Sequence, residues 1–252
     1  AETESALLDG WVKALCAETC DGVLKGILHT KNDSVADTIK NEGTDILYGQ
    51  DFFYEELLGL KFKITPFSFF QTNSLGAEVL YQTAREFIGD ALDDEANQTV
   101  FDLYSGTGTI AQILSPVAKK VIGVELNRDA VRDAVKNAKC NNVKNIDFYN
   151  ADAGQFMVEM AEYRADAKTG EKNGADEVDV VFMDPPRAGS DEAFLSSVVT
   201  LAPKRVVYVS CNPETLARDL LYLTKHGYRA QECQPVDMFP WTKHIECVVA
   251  LH

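Results

Sequence analysis

The chain has 252 residues, 46% hydrophobic and 25% charged, with 16 Gly and 8 Pro, a composition that excludes disorder, collagen and coiled coil. No apolar run approaches the roughly 20 residues of a membrane span, and AETESALLDG lacks the basic-then-apolar order of a signal peptide, so a soluble, cytoplasmic protein is expected. Residues 1–98 hold 7 Lys/Arg against 18 Asp/Glu and the rest hold 17 against 21, so the net −15 comes with no basic stripe of the kind that grips nucleic acid.

In chain order, GVLKGILHT, DILYGQDFFYEEL and LKFKITPFSFFQ predict strands, and residues 74–92 predict a helix with Ser74 as its N-cap. DDEANQ at 93–98 is a charged connector. From there TVFDLY, KVIGVEL, IDFYN, VDVVFMD, RVVYVSC and ECVVAL are short β-branched runs, alternating with helical patterns near 128–140, 153–163, 191–200 and 213–226. The polar stretch 164–177 predicts an exposed loop. The alternation predicts an α/β fold, a doubly wound and mostly parallel sheet, preceded by a small N-terminal α+β module. The expected division is residues 1–73 for the module, 74–97 for a linking helix and connector, and 98–252 for a Rossmann-like domain. The chain opens on Ala1 and stops inside the apolar run CVVALH, so it is expected to be a piece of a longer protein.

Six cysteines, at 16, 20, 140, 211, 233 and 247, show no CxxC spacing, so neither a disulfide framework nor a metal site is expected. Five segments carry residues suited to chemistry. In FDLYSGTGTIA at 101–111, Gly106 and Gly108 let the backbone turn sharply and approach a ligand, and Glu125, ending the next strand, is placed to accept from ribose hydroxyls. Asp102, Tyr104 and Ser105 add polar groups at the strand end, which suits the charged tail of S-adenosylmethionine better than a dinucleotide. The run Gly106 to Ala111 still fits the NAD fingerprint, so an NAD-linked dehydrogenase is a rival.

In VVFMDPPRAG at 180–189, Asp184 ends a parallel strand and two prolines stiffen the turn, which aims a carboxylate at the ligand crevice. In VVYVSCNPETLARDL at 206–220, Cys211 precedes a helix whose dipole is expected to favour the thiolate of a nucleophile; a packing cysteine is the other reading. In WTKHIECVVAL at 241–251, alternation puts His244 and Glu246 on one face, and either could act as a general base. In PFSFFQTNSLG at 66–76, Phe67, Phe69 and Phe70 read as core, while Gln71 and Asn73 stand where they could reach a ligand.

FFQTN, DLYSGTGTI, GVEL, MDPPRAG, VSCNPETLARD and HIECV, in this order between Phe69 and Leu251, resemble the RNA uracil-5-methyltransferase family. The resemblance implies Gln71, Tyr104, Glu125 and Asp184 as contacts to S-adenosylmethionine, with Gly106 and Gly108 in its loop and Asp152 near its adenine. It also implies Cys211 as the nucleophile and Glu246 as the base. The implied substrate is structured RNA, 23S ribosomal RNA first and transfer RNA as the alternative. Thr109 departs from the Asn common in relatives, and neither an RNA-binding barrel nor an iron–sulfur cysteine set is visible here. The RNA grip is therefore expected in an upstream domain, which would account for the acidic balance. A non-catalytic RNA or protein interaction module is the third class.

Overall fold

The computed structural model describes residues 2–19, 21–33, 43–66, 68–89, 98–167 and 178–252. They fall into two compact units, Ala1–Glu55 with Lys63–Phe67, and Glu56–Phe62 with Ser68–His252. Cys20, Phe67 and most of the connector at 93–98 lie outside the described residues.

The smaller unit begins with helix α1 (Glu2–Ala17). No helix is predicted there, because Gly10 and scattered apolar residues leave little helical periodicity, and Leu7 and Trp11 are exposed. Strands β1 (Gly26–Thr30) and β2 (Thr44–Gly49) pair antiparallel, with a register shift between Ile27 and Leu28. DILYGQDFFYEEL does not form one strand: β2 ends at Gly49, whose φ is 65°, and β3 (Phe53–Leu57) starts anew. β3 pairs with β4 (Leu60–Ile64) through a turn at Leu58 and Gly59, both at positive φ (49° and 78°), as a two-residue hairpin demands. The boundary between the units passes through this hairpin.

The larger unit opens with helix α2 (Ser74–Gly89). Its cap is Asn73 rather than Ser74: Asn73 Oδ1 accepts from the Gly76 amide at 3.0 Å, the geometry of a residue just outside the helix. Then follow β5 (Thr99–Leu103), α3 (Thr109–Leu114), β6 (Lys120–Glu125), α4 (Arg128–Cys140), β7 (Ile146–Asn150) and α5 (Ala153–Ala167). The predicted loop at 164–177 thus starts later, because α5 continues through residue 167. The chain closes with β8 (Val180–Met183), α6 (Glu192–Leu201), β9 (Arg205–Ser210), α7 (Pro213–Lys225), β10 (Ala230–Val236) and β11 (Glu246–Leu251). No helix among the described residues is long and apolar enough to cross a membrane.

The seven strands of this unit run in the order β10-β11-β9-β8-β5-β6-β7. β5 to β9 are parallel to one another, and β11 is antiparallel to both β9 and β10. The unpredicted strand is β10: AQECQPV is polar because it forms the sheet edge and six of its seven residues are exposed.

Period-two alternation divides the strand residues between two cores. Val100, Val121, Val180, Phe182, Val207, Val209 and Val248 pack with α2 and α3 on one face. Phe101, Leu103, Ile122, Val124, Val181, Met183 and Tyr208 pack with residues of α5, α6 and α7 on the other.

Two glycines fit β7 against this sheet. A Cβ on Gly123 would stand 2.6 Å from the Phe148 ring, and one on Gly108 would stand 2.7 Å from it, with Gly108 also at φ 75°. Gly108→Ala therefore combines backbone strain with overpacking and is expected to cost about 2–4 kcal/mol. Urea unfolding measures this, and adding Phe148→Leu is expected to recover only the packing share.

Candidate active site

The alternation that fills the core also assembles the site. Asp102 continues the row of Val100, Asp184 that of Val180 and Phe182, and Cys211 that of Val207 and Val209. Glu125 shares the parity of Val121, and Glu246 that of Val248. All five thus stand on the α2/α3 face, each at or just past the end of its row. Because β11 runs backwards, its first residue lies at the edge where the parallel strands finish. Its register pairs Cys247 with Ser210, the last residue of β9, and Glu246 before it lies near enough to Cys211 just past β9 for its charge to act on the thiol.

The β5–α3 turn carries Tyr104 at φ 70° and Gly106 at φ 54°, and nothing lies within 4 Å of where a Gly106 Cβ would be. Of the two expected glycines, only Gly106 faces open space; Gly108 caps α3 and is held small by Phe148 and Ala134. Glu125 accepts from the Gly106 amide at 2.9 Å and the Asn127 amide at 2.7 Å, so its carboxylate is fixed beside the loop. Burial first, then the carboxylates of Asp152 and Asp191, push the Tyr104 phenol up to about 12. Its ring lies 6.0 Å from that of Phe194. Asp152 is exposed and accepts from the Gln155 amide at 3.0 Å, which caps α5, and it lines a cleft of about 310 Å³ with Asp191 and Phe194. Gln71 is buried two residues before the cap of α2.

The other half is a crowd of acids. Burial first, then Glu246, raises the Asp184 carboxyl to about 7. Burial likewise raises Glu246 to about 7, with Arg187 pulling the other way. Cys211 does not behave as the helix dipole suggests. Burial and then Glu246 push its thiol above the ordinary range, and Arg187 opposes them. The dipole is already engaged by Asn212, which caps α7 with its side chain. His244 and Glu246 are not strand neighbours either: β11 begins at Glu246, which is buried, while His244 is exposed in the preceding loop, with Nδ1 3.2 Å from Arg187 Nη2.

Two participants, Tyr81 and Arg187, were not among the expected site residues, and Asp102 was expected only as a polar group at its strand end. Asp102 is fully buried, and neither carboxylate oxygen has a hydrogen-bond partner in normal geometry among the described residues. Burial and then Asp184 push its carboxyl well above the usual range, only partly offset by the Ala111 amide. Its place in DLYSG was visible; its isolation was not. Tyr81 on α2 is buried, and desolvation together with Asp184, Asp102 and Glu246 pushes its phenol up. No motif marks it, because it reads as one more apolar position of an amphipathic helix. Arg187 supplies the positive field at Cys211 and Glu246.

A network centred on buried Asp219 holds the DPPRAG turn beside the thiol. Asp219 Oδ2 accepts from Tyr208 Oη at 2.7 Å and the Ser190 amide at 2.8 Å, and Oδ1 accepts from Arg218 Nε at 2.8 Å. Arg218 Nη2 also donates to the carbonyls of Ala188 and Ser190, while Asn212 and Thr215 donate to that of Arg187. The LARD end of the cysteine motif thus fixes the turn that carries Asp184 and Arg187.

Residues 23–252 match the family model described as tRNA (Uracil-5-)-methyltransferase. The chain belongs to that family. An RNA methyltransferase of Clostridium tetani is 46% identical over 244 residues, 97% of this chain and 50% of that protein. One of Caldanaerobacter subterraneus is 44% identical over 240 residues, 95% of this chain and 49% of that protein. The chain therefore spans about half the length of these relatives. Among solved structures, the Pyrococcus abyssi tRNA (uracil-54, C5)-methyltransferase in complex with S-adenosyl-L-homocysteine is 33% identical with a TM-score of 0.71, covering 92% of this chain and 52% of that one. A putative S-adenosylmethionine-dependent methyltransferase from Streptococcus mutans, 13% identical with a TM-score of 0.58 over 83% of this chain and 58% of that one, shares the fold. The tRNA (uracil-5-)-methyltransferase family is one of S-adenosylmethionine-dependent RNA enzymes, and the α/β sheet described above is its methyltransferase fold.

The raised carboxyls set a pH dependence in this member of the family. Unfolded, Asp184 and Glu246 titrate near 4; folded, each titrates at about 7. Between those values the folded chain holds protons that the unfolded chain has released, so stability falls as pH rises through that window. The ligand-free chain is expected to melt several degrees higher near pH 5 than near pH 8 in a thermal scan. The difference is expected to shrink in Asp184→Asn and in Glu246→Gln.

Proposed function

We propose that this chain carries the catalytic centre for S-adenosylmethionine-dependent methylation of uridine at carbon 5 in structured RNA of the cytoplasm. The observation that carries the reading is the juxtaposition of Cys211 with Glu246 at the end of the β9/β11 pair, beside the buried Asp102 and the half-buried Asp184. The residues present suit the cofactor at Asp102: a buried carboxylate whose oxygens lack a partner in normal geometry among the described residues, beside an open glycine turn, fits a ligand that brings an ammonium group. In this reading Gln71, Tyr104, Gly106, Glu125, Asp152 and Asp184 hold S-adenosylmethionine, with Gly108 shaping the loop.

When bound, S-adenosylmethionine supplies an electrophilic methyl group on a sulfonium. Carbon 5 of uracil is a poor nucleophile until the Cys211 thiolate adds to carbon 6, which turns the ring into an enolate. Cys211 has a raised thiol pKa, so its proton must pass to solvent before attack; the nearby carboxylates disfavour the thiolate and Arg187 favours it. Carbon 5 of the resulting enolate would then form a bond to the methyl carbon as that carbon's bond to the sulfonium breaks, leaving the thioether. After methylation Glu246 takes the carbon 5 proton, the electron pair re-forms the 5,6 double bond, and the thiolate leaves. A base stacked in a duplex is out of reach, so the uridine must be flipped out or unpaired. Residues outside this segment would complete the RNA grip.

Tritium release from 5-labelled uridine in unmodified RNA, with S-adenosylmethionine present, tests the reaction. Ribosomal and transfer RNA are the two arms; the Pyrococcus neighbour is named for the second. Cys211→Ala is expected to abolish release. Glu246→Gln is expected to slow it by about 10²- to 10⁴-fold and to accumulate a covalent RNA adduct that survives denaturing electrophoresis. Saturating S-adenosylhomocysteine is expected to raise the melting temperature where NADH does not, and the reverse result would favour a dehydrogenase.

A further inference from the structure

The loop between β10 and β11 is built around a tryptophan that it does not bury. Trp241 is fully exposed, at 104% of the reference area, and sits at φ 72°, a region that bulky side chains avoid. The loop is tied down around it. Thr242 donates to the Phe239 carbonyl through its amide at 3.1 Å and through its hydroxyl at 2.8 Å, and the His244 amide donates to Thr242 Oγ1 at 3.1 Å. On one side the chain is anchored at buried Met238, whose carbonyl accepts from Asn73 Nδ2 at 3.0 Å, and on the other at buried Glu246. The indole is thus held outward at a strained backbone position that these hydrogen bonds maintain. Strain of this kind clusters at active sites and ligand clamps.

The charge around the indole indicates the ligand. In a chain of net charge −15, Lys243 and His244 lie two and three residues after Trp241, and the His244 ring meets the Arg187 guanidinium. All three are exposed. An exposed π-face with the cationic Lys243 two residues on and Arg187 held at the His244 ring, five residues from the proposed base, matches a nucleobase joined to a phosphodiester. Exposed aromatics hold unpaired bases by stacking, with little demand on base identity.

We infer that Trp241 is the stacking platform for an unpaired nucleobase of the RNA next to the target uridine, with Lys243 and Arg187 facing the adjoining phosphates. This rests on the methyl-transfer reading and adds to it the surface that holds the strand once the uridine is out of its stack.

Two measurements test it. In a Trp11→Phe chain, Trp241 is the only tryptophan, so its emission reports on that one position. Adding the RNA that supports tritium release is expected to quench it, and S-adenosylhomocysteine alone is not. In steady-state kinetics Trp241→Ala is expected to raise KM for RNA at least about tenfold while kcat stays within about twofold, and Trp241→Phe is expected to recover most of the loss. S-adenosylhomocysteine should stabilise all three chains equally. Unchanged emission at saturating RNA, or a wild-type KM in Trp241→Ala, overturns the stacking role and leaves the methyl-transfer reading standing. A concentration-dependent blue shift without RNA assigns the indole to a second copy of the chain and overturns it too. A wild-type chain that neither releases tritium nor is stabilised by S-adenosylhomocysteine removes both.

Discussion

One reversed strand decides what this sheet can do. Five parallel strands finish at a common edge, and a sixth parallel strand would bring only another carboxyl end to it. β11 runs the other way, so its first residue arrives there, beside the residue that follows β9. Two side chains 35 residues apart in the chain, Cys211 and Glu246, are thereby brought together at the end of one strand pair. The precision is that of a hydrogen-bonded ladder, and the DPPRAG turn inherits it through the Asp219 network on α7.

The same geometry creates an electrostatic problem. Asp102, Asp184 and Glu246 converge with Tyr81 at one largely buried edge, and each is pushed toward its neutral form. Arg187 is the positive group that reaches Glu246 and Cys211. An enclosure of this kind is poorly satisfied when empty of positive charge and improves when a cation enters, so the acids that weaken the ligand-free fold favour a cationic ligand. Stability given up at the site and affinity gained there have one source.

The sequence revealed the sheet because buried parallel strands must be apolar on both faces, and TVFDLY, KVIGVEL and RVVYVSC are. It hid β10 because an edge strand with exposed side chains need not be apolar at all, and it hid α1 because a helix with a weak apolar stripe leaves no period to find. Within the site, residues at strand ends were legible: Asp184 and Cys211 follow apolar runs and precede turns. The choice between His244 and Glu246 was not, since alternation cannot say where a strand begins, and one residue of strand start separates a buried acid from an exposed ring. Tyr81 was illegible for a different reason: a helix that covers a sheet shows which residues face inward, never which of them lies over the polar end. The sequence shows the helix start beside Cys211 but neither its burial nor the carboxylate of Glu246 near it, and these push the thiol up.

Asn73 has two jobs that meet in one side chain. Its oxygen caps α2 at the Gly76 amide, and its nitrogen holds the Met238 carbonyl. Gly76 has no room for a side chain between Asn73 and the Met238 sulfur, so the three groups fit together closely. The segment that carries Gln71 and the loop that carries Trp241 are therefore one mechanical piece. Loss of that one amide would therefore loosen the cap of α2 and the anchor of the far loop together.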